Sequence, residues 1–170
     1  MTYNCKTESI ILIGMPGTGK TTVGKLLSED LGYEFIDTDS LIAERTGKTP
    51  KQLVEERGRE YFIKIQDEVV REINPKNSVI STGGGLIHSD TAMKHLTDIG
   101  IIVFLNTSFQ IIEARMDPSR KLVRTGGSLK ELYNERTPLY NKYANMVIDC
   151  DDTEPQVICR KIIENIKNEV

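Results

Sequence analysis

The sequence predicts an α/β fold in which a parallel sheet of five strands is flanked by helices. Three observations carry this. Short apolar runs alternate with helically spaced segments along the chain. The runs SIILIG (9–14) and IIVFL (101–105) are wholly apolar, as strands covered on both faces should be. Glycine-rich turns follow the first and third runs, where open α/β sheets bind ligands.

Taken in order, the strands are SIILIG (9–14), YEFID (33–37), SVIST (78–82), IIVFL (101–105) and MVID (146–149). Apolar spacing near 3.6 predicts helices over 20–31, 39–46, 50–57, 58–73, 89–98, 108–116, 128–143 and 154–168. Parallel strands joined through helices imply right-handed crossovers. The stretch MDPSRKLVRTGGSL (116–129) mixes basic residues with Pro118, Gly126 and Gly127 and reads as a charged loop, suited to be a lid over a nucleotide.

At 170 residues the chain suits one domain, 1–170, with a core that needs no disulfide. The net charge of −3 argues against a nucleic-acid partner. No apolar run approaches the length of a membrane span, and MTYNCKTES lacks a signal-peptide core. Cys5, Cys150 and Cys159 show no CxxC spacing, so reduced thiols and a cytoplasmic location are expected.

GMPGTGKT (14–21) fits G-x-x-x-x-G-K-[ST] between a strand and a helix. Gly14, Gly17 and Gly19 free the backbone N–H groups, with those of Thr18 and Thr22, to face phosphate oxygens, and the helix dipole adds to them. Lys20 should reach the β- and γ-phosphates, and the Thr21 hydroxyl should ligate Mg²⁺. This points to ATP-type chemistry without naming an acceptor.

FIDTDSLI (35–42) places Asp37 and Asp39 two apart at a strand end, which would put both carboxylates on one face. Asp37 would partner the metal or its water, and Asp39 would orient and deprotonate an attacking hydroxyl. The competing role for Asp39 is to cap the next helix. STGGGLI (81–87) sets Gly83, Gly84 and Gly85 directly after a strand, which allows close approach to a ligand. Arg115, Arg120, Arg124 and Arg136 can each neutralise a transferring phosphate or grip a carboxylate.

Together GMPGTGKTTVGKLL, FIDTDSLI, STGGG, RKLV and ERTPLYNKYANMVID resemble the shikimate kinases, small P-loop kinases that phosphorylate the 3-hydroxyl of shikimate. The motifs span nearly the whole chain in order. The resemblance implies a P-loop kinase-type fold, ATP and Mg²⁺, an acceptor-binding region at about 38–73 and a lid at about 116–129. It implies that Asp39 holds the acceptor hydroxyls and acts as base, that Gly83, Gly84 and Gly85 contact the ring, and that Arg136 grips the carboxylate. Arg120 would close on the phosphates and Arg115 would lie against adenine. A monomer acting on a small hydroxy-acid is expected.

The family pattern G-E-x-x-F-R-x-x-E reads GREYFIKIQ (58–66) here, so Ile63 stands at the arginine and Gln66 at the glutamate. Ala43 replaces the glutamate of D-x-D-x-x-I-E, and Lys121 replaces the lid proline. Losing a charge-assisted contact to the acceptor costs about 1.5–3 kcal/mol, or roughly ten- to a hundredfold in affinity. Lys64 points about 160° away from Phe62 and Gln66 and should face water. Three functions fit: a shikimate kinase with a simplified carboxylate grip, a kinase for another small polyol or hydroxy-acid, or a nucleotide-binding module without catalysis.

Overall fold

The computed structural model describes residues 8–116 and 127–168. Within them the strands are β1 (Ser9–Ile13), β2 (Glu34–Asp37), β3 (Ser78–Ser81), β4 (Gly100–Asn106) and β5 (Met146–Asp149). The helices are α1 (Lys20–Leu31), α2 (Thr38–Thr46), α3 (Pro50–Arg57), α4 (Arg59–Glu72), α5 (Asp90–Ile99), α6 (Phe109–Arg115), α7 (Leu129–Tyr143) and α8 (Pro155–Asn168). All strand pairs are parallel, and the sheet runs β2-β3-β1-β4-β5. The five expected strands are present with ends shifted by about a residue.

The apolar runs are continuous because both faces of the sheet are covered. Ile11 and Ile13 of β1 point to one side, with Ile80, Ile102 and Phe104, against Met93 and Leu96 of α5 and Tyr140 of α7. Ile10 and Leu12 point to the other, with Val79, Val103 and Leu105, against Val23 and Leu27 of α1 and Ile158 and Ile162 of α8. Each such aliphatic side chain contributes about 1.5–3 kcal/mol when fully buried. α2, α3 and α4 carry a small core of their own from Ile42, Leu53, Phe62 and Val69. Part of this group forms one wall of the cleft described below.

Crossover order places β1 between β3 and β4, so the turns after β1 and β3 open side by side. α1 starts after Gly19, whose φ of 90° suits glycine, and ends at Gly32 with φ 67°. α3 starts on a capping box between Thr49 and Gln52 with Pro50 in its first turn, and so has a firmly fixed beginning. A 3₁₀ turn, Gly84–His88, was not legible in the sequence.

The expected lid falls almost wholly on residues 117–126, outside the described residues, and with it Arg120, Lys121 and Arg124. Among the described residues, no helix is long and apolar enough to cross a membrane.

Candidate active site

A cleft of about 800 Å³ opens at the C-terminal ends of β1, β2 and β3. Its lining brings together most of the residues singled out from the sequence: Gly17, Gly19, Lys20, Thr21, Thr22, Asp37, Asp39, Gly83, Gly84, Gly85 and Arg136.

At the phosphate loop, Lys20 is buried, and its Nζ donates to the carbonyl oxygens of Gly14 at 2.7 Å and Met15 at 3.0 Å. These bonds hold the ammonium at the base of the loop, where incoming phosphate oxygens can take over from the carbonyls. Gly14 has no room for a side chain, since a Cβ would stand 2.9 Å from the Leu105 carbonyl oxygen. Thr18 is buried and is not among the cleft-lining residues. Arg115, exposed at the end of α6, donates to the Gly17 carbonyl at 3.2 Å. That contact places Arg115 against the phosphate loop.

The two aspartates reach the cleft differently from the expected strand alternation. β2 ends at Asp37, and Asp39 sits in the first turn of α2. Asp37 is the helix cap, its Oδ1 accepting the Ser40 N–H at 3.0 Å. The capping role considered for Asp39 therefore belongs to Asp37. Thr21 and Asp37 supply a hydroxyl and a carboxylate on the same cleft. Such hard oxygen donors fit Mg²⁺, which binds through one or two protein oxygens and completes its shell with phosphates and water.

The glycine turn meets the acceptor side closely. A Cβ on Gly83 would lie 2.7 Å from Asp39 Oδ1 and 3.1 Å from Gln66 Nε2. One on Gly84 would lie 2.9 Å from Pro16 and 3.1 Å from Arg136 Nη1. The Gly83 N–H donates to Thr38 Oγ1 at 3.0 Å, and the Tyr140 hydroxyl donates to the Gly84 carbonyl at 2.8 Å. Tyr140 stacks on Phe104 at 5.1 Å, and burial pushes its hydroxyl up to about 12. Arg136 is only 3% exposed, although α7 is otherwise amphipathic. A buried cation that lines a cleft is positioned for an anionic ligand. His88 Nε2 stands 3.6 Å from Glu135, but burial and the nearby Arg136 lower its pKa, so the ring is held neutral there.

The changes in α4 separate in space. Gln66 is buried and lines the cleft, whereas Ile63 and Ala43 are partly buried and stand outside the lining. Lys64 is 73% exposed and faces Glu68 at 3.9 Å, as its helical position predicts. Sequence reasoning missed Pro16, Thr49, Pro50 and Lys51 as cleft residues, and Tyr140 as the support of the glycine turn. Their common signal is weak: two prolines beside polar residues at element starts.

Comparisons with known proteins agree with this geometry. The shikimate kinase family model matches residues 16–167. A shikimate kinase of Thermodesulfovibrio yellowstonii is 37% identical, covering 92% of this chain and 94% of its own length. One of Clostridium botulinum is 38% identical, covering 93% and 98%. The solved structure of a shikimate kinase from Acinetobacter baumannii in complex with shikimate superimposes with a TM-score of 0.90 at 32% identity, covering 96% of this chain and 95% of that one. With the phosphate loop, the aspartates and the glycine turn in one cleft, the chain belongs to the shikimate kinase family.

Proposed function

We propose that this protein transfers the γ-phosphoryl group of ATP to the 3-hydroxyl of shikimate, giving shikimate 3-phosphate. The observation that carries the reading is that one cleft is lined by phosphate-loop Lys20, Asp39, the glycine turn and buried Arg136. The alternative of a different polyol or hydroxy-acid rested on Ala43, Ile63 and Gln66. Of these only Gln66 lines the cleft, and the family match favours shikimate.

The chain's residues divide the work. Arg136 pairs with the acceptor carboxylate and fixes the ring over Gly83–Gly85. Asp39 accepts the proton of the 3-hydroxyl as its oxygen bonds to the γ-phosphorus and the bridging bond to ADP breaks. Lys20 and the loop N–H groups take up negative charge on the phosphates. Thr21 and Asp37 would hold Mg²⁺, which when bound neutralises charge on the β- and γ-phosphates. Arg115 stands beside the loop for the adenine end. Arg120 keeps the lid role that the resemblance implies, outside the described residues.

We also propose that the whole chain, 1–170, acts as one kinase domain, as a monomer in the cytoplasm. The cleft opens on one parallel sheet, and the family model spans residues 16–167, which supports a single domain. Coupled ADP release against shikimate and a panel of small alcohols tests the assignment. Shikimate should be the preferred acceptor, and turnover of another alcohol in its place would overturn it.

A further inference from the structure

We infer that Lys51 supplies a second cation for the acceptor carboxylate, from α3 rather than from α4. The inference rests on the proposed acceptor and concerns how this chain grips it. An acceptor carboxylate enters a cleft already lined by Asp37 and Asp39 and shared with a triphosphate, so the charge around it must be compensated. Arg136 is one compensating group. Ile63 offers none and stands outside the lining.

The basic residues of α2–α4 and their connections can be followed one by one. Arg45 pairs with Glu72 at 2.6 Å, Lys48 pairs with Glu56, and Arg71 pairs with Asp67 at 2.8 Å. Lys64 faces water beside Glu68, and Arg57 lies 5.3 Å above the Tyr61 ring. Arg59 has its Nε covered without a hydrogen-bond partner, and it does not line the cleft. Lys51 remains. It lines the cleft together with Phe62, Gln66 and Arg136, and no hydrogen bond or ion pair engages it among the described residues.

Its backbone is fixed while its side chain is not. The Thr49–Gln52 capping box and Pro50 set the start of α3, so the Lys51 Cα is anchored at the rim. The exposed side chain carries its ammonium on a flexible four-carbon stem that can turn into the cleft. A lysine makes a point contact where an arginine would make a bidentate one, so its grip on a carboxylate is looser.

The test compares shikimate with its methyl ester, which lacks the negative charge, as acceptors for the natural protein, Lys51→Met and Arg59→Met. Lys51 is exposed, so the substitution leaves the fold intact. For Lys51→Met the shikimate KM should rise several-fold, up to roughly tenfold. The KM for ATP, the kcat and the turnover of the ester should stay as they are, and Arg59→Met should behave like the natural protein. The proposal is overturned if Lys51→Met leaves the shikimate KM unchanged or if the loss falls on Arg59→Met instead. It is equally overturned if shikimate and ester lose activity alike, which would place the lysine on the phosphoryl group. If the natural protein turns over no shikimate, the acceptor assignment itself fails and this inference with it.

Discussion

Gly83 and Asp39 approach so closely that a Cβ on the glycine would stand 2.7 Å from the Asp39 carboxylate oxygen. The glycine turn after β3 is therefore the surface against which the proposed base is set. The same missing side chain leaves room for the Gln66 amide, 3.1 Å from that point.

Gly83→Ala should accordingly push Asp39 and Gln66 out of place. Displacing a reacting group by about 1 Å can cost about a hundredfold in rate. We expect kcat/KM for shikimate to fall by about that factor while the affinity for ATP is kept. Steady-state kinetics with each substrate varied in turn checks this.

Tyr140→Phe removes the donor to the Gly84 carbonyl and leaves that oxygen without its bond. An unsatisfied buried group costs about 1–3 kcal/mol, and each kcal/mol shifts the Tm of a chain this size by about 2–4 °C. A lower Tm together with a raised shikimate KM is expected, measured by thermal unfolding and coupled assay. A lower Tm with unchanged kinetics would show that the bond supports the core and not the turn.

Ile63→Arg adds a cation on α4 next to Phe62 in sequence and about one turn from Gln66, both of which line the cleft. The shikimate KM should fall, by up to roughly tenfold if one charge-assisted contact forms. The gain should be larger when Lys51 is replaced by Met in the same protein, because the two cations would serve one carboxylate. Initial-rate measurements on the single and double variants read this out.

Burial pushes the Cys150 thiol up to about 12, the Cys159 thiol up to about 11 and the Tyr140 hydroxyl up to about 12. Between the ordinary and the raised values, the unfolded chain has released these protons and the folded chain has not. Stability from these groups is thus complete below about pH 9 and is lost as the pH climbs towards 12. Denaturant midpoints should decline across that window. Neither thiol should react with a disulfide reagent at pH 8 until the protein unfolds.

Much of this site was legible because its signals are local. SIILIG and IIVFL show continuous apolarity because β1 and β4 are covered on both faces. GMPGTGKT and STGGG mark backbone that must come near phosphate or a side chain. What was not legible depends on approach between distant segments. Asp39 reaches the cleft from the first turn of α2, not from the strand, because Asp37 ends β2 and caps the helix. Tyr140 finds Gly84 from fifty-six positions away, and the Thr49–Lys51 wall exists only because α3 packs on α4. Ile63 and Gln66 share a face by count, yet about 60° of helix rotation separates them, enough to place one in the cleft and the other outside it.

The central claim is that Asp39 activates the shikimate 3-hydroxyl for attack on ATP bound at the phosphate loop. The most direct measurement is single-turnover phosphorylation of shikimate followed by ³¹P NMR, for the natural protein and Asp39→Asn, with shikimate binding measured alongside. The account predicts shikimate 3-phosphate from the natural protein and a rate lowered about 10²–10⁴-fold in the variant, with shikimate still bound. A variant that phosphorylates shikimate at the natural rate, or a product phosphorylated elsewhere on the ring, would contradict it.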